Sequence, residues 1–246
     1  MHNCAFEHNI YNNAEKLEIK IENDFFNMRD EKYRDFTASL IPTMDKQSII
    51  GVRTPQIRAY GRTMGDAQHD KSAAHLFLQN EHRYYELDNL QAVIISSVKD
   101  VDYCIRLLND FLPRVNNWAT CDMLRPKVLG KNKSELYKKI LQWLSSQHEY
   151  TVRFGIEMLM CHFLDEDFDK SHLSLVASVR CGEYYIDMMV AWYFATALAK
   201  QYEQSVRIIQ NKELSPWRHN KAITKACESL RIDKDTKSYL KGLRIK

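Results

Sequence analysis

Apolar residues recur along the whole chain at spacings of three and four, which is the period of one face of an α-helix. Leu87, Leu90, Val93, Ile94 and Val98, for example, all fall on one face. No segment reads convincingly as the alternation of apolar and polar residues that is typical of a half-buried strand. The sequence therefore predicts an all-α protein.

Capping residues mark several helix starts. Thr54 is a good N-cap, Pro55 suits the first helical position, and Gly51 permits the turn before them. Asp100 and Asp233 are expected to cap two further helices. The predicted helices cover about residues 10–26, 31–40, 54–64, 71–78, 84–99, 101–112, 117–128, 134–144, 149–163, 171–179, 183–202, 205–211, 215–230 and a last segment after 233.

The segment from Glu183 to Tyr202 differs from the others because it is apolar almost all round. A helix without a polar face cannot lie on the surface, so we expect this one to be central and largely buried. Taken alone, Trp192 within it would be a core residue.

The predicted helices form pairs that recur about every 35–45 residues, without residue-level self-similarity. This arrangement favours an α-solenoid of HEAT-like antiparallel helix pairs, curved and with a basic concave face. No linker of low complexity and no shift in composition interrupts the chain, so residues 1–246 are predicted to form a single HEAT-like helical-repeat domain. Two packed helical domains are the alternative.

The composition agrees with a soluble helical protein. Of the 246 residues, 45% are hydrophobic and 27% charged, while only seven are glycine and five proline. Nucleotide-binding loops and β-rich folds need more turn glycines than this. No apolar run is long enough to span a membrane, and the first residues do not resemble a signal peptide.

The six cysteines are scattered and never occur in a Cys-x-x-Cys spacing. We therefore expect reduced thiols, most of them in the core, in a cytoplasmic protein. Adjacent Cys161 and His162 point to different faces of a helix, so neither a metal site nor a cofactor is expected.

Basic residues are clustered although the net charge is only +3. Residues 125–139 carry six Lys or Arg against one Glu, and residues 217–246 carry nine against three acids. Such stripes can face DNA phosphates, although each could equally be a solvated helix face. The candidate DNA-binding residues are Arg125, Lys127, Lys131, Lys133, Arg218, Lys221 and Lys225.

Trp118 and Asp122 form an unusual pair, because a spacing of four places an indole and a carboxylate on one helical face. A core face would carry aliphatic residues there, and a solvated face rarely carries Trp. The pair suits a site that holds a flat or sugar-like group beside a negative charge. Arg153 and Trp192, each in an otherwise apolar helix, are the candidate partners, although Arg153 alone would more often belong to a structural ion pair.

At these residues the chain resembles the AlkD-like DNA alkylation repair proteins, a family of HEAT-like glycosylases. The resemblance covers most of the chain and rests on five stretches in the same order. They are Val52-Arg53-Thr54-Pro55, the Trp-x-x-x-Asp at Trp118 and Asp122, the helix that bears Arg153, Tyr184-Tyr185-Ile186 leading to Trp192, and Asn211-Lys212-Glu213-Leu214-Ser215-Pro216.

The resemblance implies that Asp122, Trp118, Arg153 and Trp192 are the catalytic residues of an enzyme that excises positively charged N3- and N7-alkylated purines. Its partner would be double-stranded DNA with alkylated bases, without an obligate protein partner. Asp187 and Met188 depart from the pattern, since related proteins can carry a basic residue there. A non-catalytic protein that binds distorted or branched DNA, or a helical-repeat scaffold for other proteins, are the alternatives.

Overall fold

The computed structural model describes the backbone of residues 2–69 and 72–246, and the side chains from Asn13 onward within those ranges. Every regular element in these ranges is helical, which confirms the all-α prediction. None of the described helices is both long and apolar enough to cross a bilayer.

The chain divides into two compact units, of which the first ends at Asn132 and the second comprises Lys133–Lys246. The first unit contains α1 (His2–Asn27), α2 (Glu31–Leu40), α3 (Thr54–Thr63), α4 (Ala73–Phe77), α5 (Tyr85–Ser97), α6 (Val101–Phe111) and α7 (Trp118–Met123), with 3-10 turns at Lys46–Ser48, Leu112–Arg114 and Lys127–Lys131. The second contains α8 (Lys133–Leu144), α9 (Glu149–His162), α10 (Ser171–Ala177), α11 (Tyr184–Lys200), α12 (Tyr202–Gln210), α13 (Pro216–Glu228) and α14 (Lys234–Gly242). The single domain and the solenoid of helix pairs stay predictions.

Several predicted boundaries are confirmed. Asp100 caps α6 by accepting the backbone N–H of Tyr103 at 2.7 Å, and Asp233 caps α14 through that of Thr236 at 2.9 Å. Gly51 has a φ of 100°, a left-handed conformation that other residues rarely adopt.

Other boundaries differ from the prediction. α7 ends at Met123 instead of near residue 128, because Pro126 disfavours helical geometry at the residue before it. Arg53, not Thr54, is the N-cap of α3, and its backbone N–H bonds the Gln56 side chain at 3.2 Å. α4 begins at Ala73, whereas the predicted start at Lys71 lies outside the described residues.

α11 is the centre of the second unit. Nine of its residues are buried, and it packs against α9 and α13, which confirms the predicted central helix. Trp192 is an exception on this helix, since 37% of its surface is exposed. Trp192, which the apolar sequence around it would place in the core, is therefore accessible to solvent.

The cysteines are less buried than predicted. Cys104 and Cys121 are buried, Cys227 is half-buried, and Cys161 and Cys181 are exposed. The expectation that most are core residues is therefore wrong for the described part of the chain.

Glu86 on α5 anchors the loop that precedes α3. Its carboxylate is fully buried and accepts the backbone N–H groups of Ile50 at 2.9 Å, Gly51 at 2.7 Å and Val52 at 3.3 Å. Burial raises the pKa of Glu86, whereas these hydrogen bonds act in the opposite direction. One side chain thus satisfies three consecutive donors that have no strand or helix to pair with.

Replacing Glu86 with Ala would leave those three buried N–H groups without an acceptor. We expect the free energy of unfolding to fall by about 3 kcal/mol, measured by chemical denaturation. Glu81→Ala, at an exposed site, is the control. A loss of less than about 1 kcal/mol in Glu86→Ala would contradict the anchoring role.

Asp88, also on α5, predicts a pH dependence of stability. Burial raises its pKa to about 6 from an ordinary 3.8, so the folded state favours the protonated carboxyl. Its contribution to stability is complete below the unfolded pKa and is lost as the pH rises towards 6.

Asp88→Asn should therefore match the wild type near pH 4 and become more stable than it by up to about 3 kcal/mol near pH 7. Thermal and denaturant unfolding across this pH range measure the difference, with the exposed-site variant Asp110→Asn correcting for the change in net charge. A difference that stays constant with pH would contradict the shift.

Candidate active site

α7 is the short helix that carries the first two candidate residues. It begins at Trp118 because Asn117 caps it, with the Asn117 Oδ1 atom accepting the Thr120 backbone N–H at 2.8 Å. Asp122 follows Trp118 by one turn, so both side chains leave the same face of the helix.

A buried polar network holds α7 against α5. The Thr120 hydroxyl donates to Asn89 Oδ1 at 2.8 Å and accepts a hydrogen bond from Asn117 Nδ2 at 3.0 Å. All three side chains are buried, so water does not compete for these bonds. α5 therefore sets the direction in which Trp118 and Asp122 point.

Trp118 is half-buried and held at both of its ends. Its Nε1–H donates to the Leu40 carbonyl at the end of α2, at 3.0 Å. Its ring packs against a small cluster of Ile41, Ile49 and Tyr85. Because the indole N–H is committed to the backbone, a ligand would meet the ring itself.

Trp118 and Asp122 both line a surface cleft of about 340 Å³ within the first unit. This volume lies at the lower end of the range for small-ligand sites. The residues that line the cleft are Tyr33, Phe36, Thr37, Leu40, Ile41, Thr54, Arg58, Tyr85, Trp118, Ala119, Asp122, Met123 and Arg125. Trp118, Asp122 and Arg125, which are all candidate site residues from the sequence, therefore share one cleft with the aromatic side chains of α2.

The cleft contains one negative charge. Among its described lining residues Asp122 is the only acidic one, and it is half-buried. Burial raises the pKa of Tyr85 to about 12, with a hydrogen bond to Asn89 acting the other way, so this phenol is neutral at pH 7. The backbone carbonyl of Asp122 accepts the Nε–H of Arg125 at 3.2 Å.

Arg153 and Trp192 lie in the second unit, on the neighbouring helices α9 and α11. Arg153 is buried, with 4% of its surface exposed, and its Nη1 donates to the Tyr185 carbonyl at 3.0 Å. Trp192 is exposed, as described above. The guanidinium is therefore fixed in the interior of the unit while the indole is accessible to a ligand.

The first basic cluster is mostly at the surface. Arg125, Lys127 and Lys131 are exposed. Lys133 is half-buried instead, and its ammonium group donates to the His162 carbonyl at 2.5 Å and to the Asp167 carboxylate at 2.8 Å. It would have to leave these acceptors to contact a phosphate.

The second basic cluster is divided between the surface and the interior. Lys221 lies over the ring of the exposed Trp217, at 5.3 Å from its centroid. Lys225 pairs with Glu228 at 3.3 Å across one helical turn, which is a weak surface interaction. Both side chains are half-buried and keep part of their surface open to solvent.

Arg218 requires a correction, because the structure places it in the interior and not at a DNA-binding surface. Only 2% of its surface is exposed. Its Nε donates to Asp187 at 2.6 Å, and its two terminal nitrogens donate to the carbonyls of Val179 and Arg180. Asp187, noted above as a departure from the resemblance, thus neutralises a buried arginine.

Sequence reasoning missed the α2 and α3 walls of the cleft. Phe36 is 56% exposed and Leu40 is 46% exposed, although both belong to the apolar stripe of α2. Thr54 and Arg58, one turn apart on α3, line the cleft as well. The available signal was the spacing of Tyr33, Phe36 and Leu40, which repeats at three and four residues without indicating that the stripe faces a cleft.

The network under α7 generates a prediction of its own. Thr120→Val removes the hydroxyl at nearly constant volume, so the buried Asn89 Oδ1 loses this donor and Asn117 Nδ2 loses one of its two acceptors. The free energy of unfolding should therefore fall by about 2 kcal/mol. Thr120→Ser keeps the hydroxyl and should lose less than about 1 kcal/mol. Equal losses in the two variants, measured by denaturation, would show that the methyl group and not the network matters.

Comparison with known proteins supplies the family. No curated protein matches the chain. A family described as DNA alkylation repair enzyme matches residues 21–225, which is more than half of the chain and includes all four candidate catalytic residues. The chain therefore belongs to the DNA alkylation repair enzyme family.

Proposed function

We propose that the protein is an AlkD-like DNA glycosylase that removes positively charged N3- and N7-alkylated purines from duplex DNA. The observation that carries the proposal is the cleft in which Trp118 and Asp122 stand on one helical face, with no other acidic group among its described lining residues. Membership of the family supports a role in DNA repair. The specific reaction rests on the chemistry of the cleft.

The chemistry needs one carboxylate and no acid for the leaving group. Alkylation at N3 or N7 gives the purine a positive charge, so the base leaves as a neutral molecule with the electron pair of its bond to C1′. The deoxyribose is left with oxocarbenium character, as in glycoside hydrolysis. Water then adds its oxygen to C1′ and releases a proton to the medium.

Asp122 is the residue to which we assign stabilisation of this sugar cation. Its negative charge is fixed on a helix that is itself anchored, so the charge need not reorganise as the cation forms. The same carboxylate can orient the attacking water. The Trp118 ring, whose N–H is committed to Leu40, would hold the sugar and contribute about 1–2 kcal/mol of cation–aromatic attraction.

The proposal also gives Trp192 and Arg153 catalytic roles, on the strength of the family resemblance. The exposure of the Trp192 indole supports a contact with a ligand. Burial of Arg153 and its bond to the Tyr185 carbonyl favour an electrostatic or positioning role over a flexible contact with phosphate.

We propose that the basic side chains at the surface contact the phosphates of the DNA backbone. Arg125, Lys127 and Lys131 are exposed, and Lys221 and Lys225 are half-buried. Lys133 can contact a phosphate only after it leaves its acceptors on His162 and Asp167. Arg218 is excluded from these contacts, since its donors are already used in the interior.

Release of free base from a duplex that contains 7-methylguanine tests the proposal. We expect the purified protein to release 7-methylguanine above the rate of spontaneous depurination, measured by chromatography of the freed base. A protein that binds the duplex but releases none would contradict the enzymatic proposal. That outcome would favour the alternative of a non-catalytic DNA-binding member.

Asp122→Asn isolates the role of the carboxylate. The amide keeps the shape of the side chain but not its charge, so single-turnover excision should fall about 100- to 1000-fold while affinity for duplex DNA is maintained. Asp110→Asn, at an exposed site outside the cleft, is the matched control. Unchanged excision in Asp122→Asn would remove this residue from the mechanism.

A further inference from the structure

Arg58 is the charged residue of the cleft wall to which the proposed function gives no role. It lies on α3, one turn after Thr54, and its side chain is exposed at the cleft. Its Nη2 donates to the Sδ atom of Met123 at 3.3 Å. Met123 follows Asp122 directly in α7, so Arg58 contacts the helix that carries the carboxylate.

A thioether is a weak acceptor for an arginine. The guanidinium carries five N–H donors, and sulfur accepts only one of them weakly. Within the described residues, no carboxylate is paired with Arg58 and no other hydrogen bond of its side chain is present. A planar cation with unused donors in an aromatic cleft is suited to a planar or tetrahedral anion.

Arg53 and Arg114 of the same unit show the contrast. Arg53 pairs with Asp30 at 2.7 Å and stacks on the Tyr33 ring at 4.8 Å. Arg114 donates to the Asp110 carbonyl at 3.3 Å. These side chains are tied to strong acceptors of the protein itself, as is expected for structural arginines. Arg58 differs from these two because its partner is a sulfur atom that a ligand can displace at little cost, and it differs from Arg62 because it lines the cleft.

We propose that Arg58 binds a phosphate of the nucleotide whose sugar faces Asp122. This inference rests on the proposed function, and it names a residue and a ligand group that the proposed reaction leaves unassigned. A carboxylate aimed at a sugar repels the neighbouring phosphodiester, and a cation on the opposite wall offsets that repulsion. Arg58 and Arg125 together give the cleft a formal charge of +1 with Asp122 ionised.

The role assigned to Arg58 is binding and not chemistry. A phosphate carries the same charge in the bound substrate and in the transition state, so its contact stabilises both states equally. Loss of Arg58 should therefore weaken affinity and leave the single-turnover rate at saturation within about twofold. Asp122→Asn should show the reverse pattern, as stated above.

The test measures affinity for a duplex with one tetrahydrofuran abasic-site analogue, which requires no excision. Arg58→Gln should bind about tenfold more weakly than the wild type, and Arg58→Lys should recover part of the loss because it keeps the charge without the planar fork. Arg62→Gln is the matched control, since Arg62 is exposed one turn further along α3 and does not line the cleft.

Neutral methylphosphonates placed singly at the phosphates flanking the analogue identify the ligand group. At one of these positions the wild type should lose its advantage over Arg58→Gln, because the charge that Arg58 contacts is gone. A loss in Arg62→Gln as large as in Arg58→Gln, or a tenfold difference that persists at every neutralised position, would overturn the proposal.

The two proposals fail separately. If the wild type releases no base and the methylphosphonate cycle still couples Arg58 to one phosphate, the binding site stands and the glycosylase proposal falls. If the wild type excises normally and no phosphate couples to Arg58, the glycosylase proposal stands and the phosphate-binding role of Arg58 falls. A hundredfold loss of the saturated single-turnover rate in Arg58→Gln would also overturn the binding role.

Discussion

The cleft depends on two buried polar side chains in the first turns of α5. Glu86 accepts three backbone N–H groups of the loop before α3, and Asn89 accepts the Thr120 hydroxyl beneath α7. One helix therefore fixes the two walls that carry Arg58 on one side and Trp118 with Asp122 on the other. Buried hydrogen bonds of this kind are costly to leave unmade, so they specify a geometry more strictly than apolar packing alone.

This arrangement separates the groups that hold the site from those that would meet a ligand. Glu86, Asn89 and Thr120 are sealed from solvent, whereas Phe36 and Leu40 keep about half of their surface exposed. A short six-residue helix such as α7 has little intrinsic stability, because the cost of nucleation is spread over few hydrogen bonds. Its position is set by the cap and by the network below it. Rigid support of this type is what electrostatic catalysis requires of a fixed charge.

The sequence predicted the helices and the start of α7 because those features are local. The Asp100 cap and the spacing of Trp118 and Asp122 each depend on residues only three or four positions apart in the sequence. The anchoring contacts were not predictable in this way. Glu86 reaches a loop more than 30 residues earlier in the chain, and no periodic pattern distinguishes a buried glutamate of an amphipathic helix from an exposed one.

Arg218 and Arg58 show what decides whether an arginine is structural or available to a ligand. Arg218 lies in a dense basic stretch, yet Asp187 and two carbonyls take its donors and it is interior. Arg58 lies outside both basic clusters, yet its partner is a weak acceptor and its side chain opens on the cleft. Charge density along the sequence therefore does not identify a cation that is available to a phosphate. A cation is available when no strong acceptor of the protein lies within reach of its side chain. The positions of such acceptors depend on the folded structure and cannot be read from the local sequence.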